Sequence, residues 1–435
     1  MTPKYYEPFV TKNMSNIITP TTVSERIPSL DFLRGIAILG ILFINIESFV
    51  YANPWSSWQY GYESATDHHT RFWVYFLTQG KFYTMFALLF GVGFVIFTER
   101  IQQKVHGLKA MDIYARRLLW LFVIGVIHAY FIWDGDILYH YAICGLFLLP
   151  FRSMKIRNLV LIVLFVASFL FIKSYESVSK RQETYSNYTE ALNKEEAKRT
   201  DKDNTLIAFW ENRYTKKSPN LSEEVEIPKP TYWQGVISSY ENHKVHKGEF
   251  YYQSLMLSSL IVMILGMILF RAGIFSDYRV WKYYWAITVL VLVVGLVINY
   301  MRYYHWTYED HIPNLNTFKA LLFTIPKEIL GVGYILVLNG IYQKYLQRNV
   351  RFKVFTKIGR TALSNYIFQS IILGILFYGY GFGLHNSFSR FELLGFVVTI
   401  WAIQITCTII WLRYYKQGPL EFLWRKLTYK SFNKM

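Results

Sequence analysis

Between Gly125 and Ala142 the chain reads Gly-Val-Ile-His-Ala-Tyr-Phe-Ile-Trp-Asp-Gly-Asp-Ile-Leu-Tyr-His-Tyr-Ala, two histidines and two aspartates set between long apolar stretches. Ionisable groups at membrane depth are costly and persist mainly where they face a partner or a watery pocket, so His128, Asp134, Asp136 and His140 mark a candidate site. Asp136 and His140 are one helical turn apart and share a face. Asp134-Gly135 is almost the whole connection to the preceding helix, which forces a tight antiparallel hairpin and places His128 within two turns of the bend. A carboxylate that accepts from one imidazole nitrogen fixes the tautomer and raises the ring's basicity, as a general base or proton relay requires. His128 and Asp136 are therefore the candidate catalytic pair. The structural alternative makes Asp136 a helix N-cap and His128 a hydrogen-bonded packing residue.

Other polar residues interrupt apolar segments. Asp31 opens the first such segment and Arg34 follows one turn later, suited either to pair with Asp31 or to grip a phosphate through its planar fork. Capping and topology would also explain both residues. Asn45 and Glu47 lie deeper in the same segment, towards its far end. Lys81 follows Gly80 inside another apolar run, preceded by Asp67, His68 and His69. Pro326-Lys327-Glu328 breaks a further run and predicts a kinked, polar-lined cavity. Asn365 and Gln369 are one turn apart, and interhelical hydrogen bonding alone would account for them. No cysteine-rich or other metal-ligand spacing occurs: Cys144 and Cys407 both fall in apolar segments and predict packing, not a disulfide or a metal site.

The elements that hold these residues are apolar runs near the roughly 20 residues a bilayer core requires of a helix. They fall at Leu33–Tyr51, Phe72–Phe97 (with a break near Gly80), Leu118–Trp133, Asp136–Phe151, Leu159–Ile172, Tyr251–Phe270, Trp281–Tyr300, Phe318–Ile341, Ala362–Phe382 and Phe391–Leu412. The fold predicted is an all-α, polytopic membrane bundle of about ten helices. Lys and Arg cluster in alternate connections, from Arg100–Arg117 to Arg413–Lys430, which puts both termini in the cytoplasm. The domain plan is a cytoplasmic segment 1–32, a first bundle half 33–172, an extracytoplasmic loop or small cap 173–250, a second half 251–412 and a cytoplasmic interfacial tail 413–435. Within 173–250, Thr231–Tyr240 can form an amphipathic helix at the interface, and a polar connector is the simpler alternative. Gly418–Arg425 reads as an interfacial helix with proline in its first turn. The net charge of +17 is what topology and interfacial anchoring produce, and it argues against a nucleic-acid partner. The N-terminus lacks the pattern of a removable signal peptide.

Seven ordered blocks resemble the YeiB-like family of bacterial multi-pass membrane proteins, whose C-terminal part is catalogued as domain of unknown function 418. They are Leu30-Asp31-x-x-Arg34-Gly35 with Asn45, Lys81-Phe82 ahead of Leu89-Phe90-Gly91-Val92-Gly93, Arg116-Arg117, Gly125-x-x-His128-Ala129, Gly135-Asp136-Ile137-Leu138 with Tyr141-Ala142, Leu363-x-Asn365-Tyr366 with Gln369-Ser370, and Gly418-Pro419-Leu420-Glu421. The chain is also distantly similar to the transmembrane heparan glucosaminide acetyltransferases, which open with an Asp-x-x-Arg-Gly helix. Those enzymes move an acetyl group from cytoplasmic acetyl-CoA to a sugar on the far side. Their active histidine has no motif counterpart that carries it onto His68, His69 or His128.

The resemblance implies a protein of the bacterial cytoplasmic (inner) membrane and an acyl-transfer enzyme. Arg34, Arg116, Arg117 and Arg360 would hold the CoA phosphates, His128 would act as base or acyl carrier, Asp136 would orient it, and Asn45 or Asn365 would face the developing oxyanion. Substrate-binding candidates are thus Asp31, Arg34, Asn45, Lys81, Arg117, Asn365 and Gln369. No tightly bound cofactor is expected; acyl-CoA is the donor substrate, and a glycan or other small molecule, the lipid bilayer and a second copy of the chain are the partners considered. Two other classes fit the same residues: a proton-coupled transporter of a small molecule, and a membrane sensor or accessory subunit.

Overall fold

The computed structural model describes residues 26–51, 64–104, 107–214, 231–246, 249–308 and 328–429, and their regular elements are helical throughout. The first bundle half comprises α1 (Pro28–Val50), α2 (Ala65–Thr78), α3 (Lys81–Lys104), α4 (Leu108–Phe131), α5 (Leu138–Phe147) and α6 (Ile156–Asn193). Two shorter helices follow, α7 (Asp201–Tyr214) and α8 (Tyr232–His246). The second half comprises α9 (Glu249–Arg271), α10 (Tyr284–Tyr308), α11 (Glu328–Ile341), α12 (Lys353–Arg360), α13 (Ala362–Phe377), α14 (Arg390–Tyr414) and the tail helix α15 (Pro419–Tyr429).

Five stretches among the described residues are long and apolar enough to cross a membrane: α1, the α2–α3 stretch, α6, the Tyr284–Tyr304 part of α10, and α14. Their outer faces support that reading. Phe165 on α6, Leu290 on α10 and Val398 on α14 are all more than half exposed, with apolar neighbours one or two turns away. An aqueous protein would not leave such continuous apolar surface uncovered, whereas lipid covers it at no cost. The protein is therefore a helical membrane protein.

Each predicted span has a helix, but bounds shift where local chemistry overrides hydropathy. The break near Gly80 is complete: Gly80 takes φ +78°, a left-handed conformation that separates α2 from α3. The largest departure concerns 173–250, expected to be a loop or small cap. There α6 continues to Asn193 and α7 folds back beside it. Trp210 of α7 is buried against Tyr185 and Tyr188 of α6, with ring centroids 5.1 and 5.5 Å apart. Lys194 and Asp203 pair at 2.9 Å across the turn. The Thr231–Tyr240 helix exists, as α8. It lies against the end of α4, where the Tyr232 and Ser239 hydroxyls donate to the carbonyls of Phe131 and Ala129. The Pro326-Lys327 kink falls outside the described residues.

The bundle places the site through two close backbone approaches. At Gly125 an added Cβ would strike the backbone of Leu138 and Tyr139, so only glycine allows α4 and α5 to meet there. Gly359 has the same relation to the backbone of α1 at Asp31. Removing the side chain at such crossings lets helix axes come close enough for side chains further along to converge.

Candidate functional site

The α4–α5 contact brings the two expected residues together. The His128 Nδ1 lies 2.7 Å from Asp136 Oδ1, and both side chains are buried. The other Asp136 oxygen accepts from the Tyr139 backbone N–H at 3.0 Å, so the carboxylate caps α5 while it holds the imidazole. Asp136 thus lies one residue before the N-cap position expected of it, and still takes an N–H of the first turn of α5. An acceptor-only carboxylate requires the proton on Nδ1, and in a neutral ring Nε2 then carries the lone pair. That Nε2 is buried and has no hydrogen-bond partner. A buried polar atom without a partner is a cost that needs a reason, and a base awaiting a proton supplies one.

Beside this pair ends a cavity of about 340 Å³. Its mouth lies at the basic ends of α1, α3, α4 and α15, and seven of its lining side chains are Arg or Lys against two carboxylates, Asp31 and Glu421. Further in, the walls become apolar, with Phe86, Phe90, Phe94 and Leu121, and the lining includes Ile137, Leu138 and Tyr366. The Tyr366 ring is 5.0 Å from the His128 ring.

The rim is positioned from several elements. Arg34 donates to Asp31 Oδ1 at 2.9 Å, and Arg26 reaches the other oxygen at 3.5 Å. Arg117 is sandwiched between Trp424 at 3.8 Å and Phe97 at 4.7 Å, and the Trp424 indole donates to the Arg117 carbonyl. Glu421 accepts from the backbone N–H groups of Leu363 and Ser364, so the tail helix caps the start of α13. Burial raises the Glu421 carboxyl above its ordinary value, opposed by the Ser364 hydroxyl and these backbone donors. Burial, and then the neighbouring Arg26 and Arg117 charges, lower the Arg425 guanidinium to about 10. Seven cations against two carboxylates in one hollow suit a polyanionic ligand.

Of the expected substrate-binding residues, Asp31, Arg34 and Arg117 line the cavity, and Arg360 does too. Asn45, Lys81, Asn365 and Gln369 do not. Asn365 donates to Thr361 and Thr408, and Gln369 to the Ile38 carbonyl and Gln404, the interhelical bonding considered for them from sequence. An oxyanion donor from Asn45 or Asn365 is therefore not part of the cavity wall. His140 lies apart from the His128 pair, 2.9 Å from the Ser259 hydroxyl, with Cys144 close by. Lys81 is fully buried, donates to the Tyr75 carbonyl and sits 4.4 Å above the Tyr303 ring.

Lys81 belongs to a second polar cluster that sequence reasoning largely missed. Glu47 accepts from Arg390 and from the Tyr75 hydroxyl, each at 2.8 Å, and all three are buried. Arg390 also covers the Tyr51 ring at 4.7 Å, and Asp67 accepts from the Phe391 backbone N–H. Arg71, wholly buried, lies over the Tyr75 ring.

Fold and site together define a helical membrane protein whose basic cavity ends beside a buried histidine–aspartate pair. The family model described as protein of unknown function (DUF418) matches residues 269–431, and that of heparan-alpha-glucosaminide N-acetyltransferase, catalytic, matches 26–191. The uncharacterized protein YxaH of Bacillus subtilis is 29% identical, over 95% of this chain and 97% of its own length. The uncharacterized protein YeiB of Escherichia coli is also 29% identical, over 94% and 97%. No solved structure matches the chain. The chain is thus similar to YxaH and YeiB along nearly its whole length, and the N-terminal part that matches the acetyltransferase model contains His128 and Asp136.

Proposed function

We propose that the protein is a membrane acyltransferase: an acyl-CoA enters the basic cavity from the cytoplasm, and its acyl group passes to a hydroxyl or amine of an extracytoplasmic glycan or envelope component. In this reading the chain crosses the bacterial cytoplasmic membrane about ten times with both termini inside. The observation that carries it is the juxtaposition of a cation-rich, apolar-floored cavity with an imidazole whose Nε2 is buried and unpartnered.

The phosphates of CoA would meet Arg34, Arg117 and their neighbours at the rim, where guanidinium forks bind phosphate oxygens bidentately. The pantetheine arm would follow the apolar wall towards Leu138 and Tyr366. His128 Nε2 takes the proton from the acceptor hydroxyl or amine as that atom attacks the thioester carbon. Asp136 stabilises the imidazolium and keeps Nδ1 protonated, as the aspartate of a catalytic triad does. The C–S bond then breaks, and the CoA thiolate recovers the proton from His128. The acetyltransferase match over 26–191 supports the same chemistry.

Thermal unfolding of the detergent-purified protein with acetyl-CoA and longer acyl-CoAs tests this directly, because a ligand of the folded form raises its apparent stability. A saturable shift is expected in the wild type and in His128→Ala, and it should be lost in Arg34→Ala and Arg117→Ala. Absence of a shift with every acyl-CoA would remove the donor from the scheme.

A further inference from the structure

His128 does not line the cavity; Tyr366 does. The imidazole is only 1% exposed, and the Tyr366 ring packs beside it, tilted by 53° at a centroid distance of 5.0 Å. Trp133 packs near the imidazole too, at 6.2 Å, and is itself stacked on Phe49. On the far side α8 seals the last turn of α4, its Ser239 and Tyr232 hydroxyls holding the carbonyls of Ala129 and Phe131. The base is therefore covered in the structure described, and Tyr366 is the ring that both lines the cavity and packs on the imidazole.

We propose that Tyr366 is a positioning residue, a movable aromatic partition that separates the cavity from the His128 Nε2 and admits a thioester to the base only when its ring swings aside. The inference rests on the acyl-transfer reading for its purpose but on packing alone for its geometry. Chemistry supplies the reason for such a partition. A free imidazole beside a thioester in a cavity open to the cytoplasm would hand the acyl group to water, and enzymes suppress that loss by keeping the base covered until the substrate is seated. A ring does this better than an aliphatic side chain, because it covers a large area with only two rotatable bonds. The partition needs the ring and not the hydroxyl. Phenylalanine should therefore preserve it, and a small side chain should abolish it.

The test is chemical labelling of the full-length purified protein with diethyl pyrocarbonate, which carbethoxylates accessible neutral imidazole nitrogens, followed residue by residue by mass spectrometry. The exposed His69 serves as the internal measure of reagent activity. In wild type and Tyr366→Phe, His128 should be labelled slowly relative to His69. In Tyr366→Ala its rate should rise about tenfold or more, the scale on which local opening changes accessibility. Tyr366→Leu, a milder truncation, should fall between and keeps the comparison usable if the alanine variant does not fold. Wild-type labelling as fast as that of Tyr366→Ala, or slow labelling in both truncated variants while His69 reacts, would overturn the partition. Acetyl-CoA added to Tyr366→Ala should slow labelling again. If it does not, the donor reading fails while the partition stands, so the two claims are separable.

Discussion

Two regions of this bundle carry buried charge, and they differ in what surrounds it. Around Glu47 the charges are closed: Arg390 and Tyr75 share one carboxylate oxygen at 2.8 Å, aromatic rings cover the cations, and the sequence-distant α1, α2 and α14 are tied together. Around Arg117 the charges line a cavity, with Arg34 held by Asp31 and Arg117 held between Trp424 and Phe97. Seven cations face a hollow with two carboxylates, and an imidazole nitrogen beyond its far end has no partner. A closed cluster resembles an interior ion pair, whose worth shows when one partner is removed. One that lines a cavity stores electrostatic potential that a ligand can satisfy. The contrast separates charge that holds the fold from charge that lines a cavity, which the proposed function fills with a substrate.

The sharpest way to break that comparison is to delete one member of the closed cluster. Glu47→Ala should destabilise the protein by about 3–5 kcal/mol, the cost of leaving a buried partner unpaired. Thermal unfolding and the yield of monodisperse protein would measure it. Arg34→Ala, at the cavity, should lower the unfolding temperature less, because Arg34 is part-exposed and Asp31 keeps its contact with Arg26. Next in size is the chemistry. His128→Ala should lower acyl transfer by about 10²–10⁴, the usual contribution of a general base, with donor binding intact. Asp136→Asn should lower transfer as well, by perturbing the tautomer. Smaller again is the rim: Arg117→Ala should weaken acyl-CoA binding by about 10- to 100-fold, in line with loss of a charge-assisted contact worth roughly 1.5–3 kcal/mol, read by equilibrium dialysis.

The smallest effects lie in pH dependence, and they differ in sign. The Glu421 carboxyl is raised by burial, so the folded state holds its proton more tightly than the unfolded chain does. Stability attached to it should fall as pH rises from the ordinary glutamate value through the raised one, and Glu421→Gln should flatten that slope. Asp203 is held down to about 2 by the Thr200 backbone N–H, Lys194 and the Thr200 hydroxyl. The stability it lends to the α6–α7 turn is present above the ordinary aspartate value and is lost as pH falls towards about 2. Unfolding temperatures recorded across pH in wild type, Glu421→Gln and Asp203→Asn would show both slopes.

The cavity site was the more legible of the two in sequence. His128 and Asp136 stand out because an apolar background makes each charge conspicuous, and the short link between their helices, six residues in the structure, leaves them little choice of neighbour. Arg34, Arg117 and Arg360 were visible as a basic rim, although topology alone could have placed them; Arg116, expected with them, pairs with Asp112 outside the cavity wall. The closed cluster was hidden for a physical reason. Glu47, Lys81 and Asp67 were noted, but Arg390 opens α14 and Arg71 follows the polar first turns of α2, where a charge looks solvated; burial comes only when α2 and α14 pack on α1. The continuation of α6 was missed for the opposite reason: its Lys, Glu and Ser content masks helix-forming residues that need no apolar stripe until Tyr185 and Tyr188 meet Trp210. Asn365 and Gln369, polar and in register, pointed to function and turned out to bond between helices.

The decisive measurement uses inside-out membrane vesicles from cells that produce the protein, supplied with radiolabelled acetyl-CoA on the exposed cytoplasmic face, with the native acceptors still in place. Label should accumulate in vesicle-bound lipid or glycan with the wild type and fall to background with His128→Ala and with Arg117→Ala, both verified as folded. Equal incorporation in all three would contradict the assignment of the cavity and its histidine to acyl transfer.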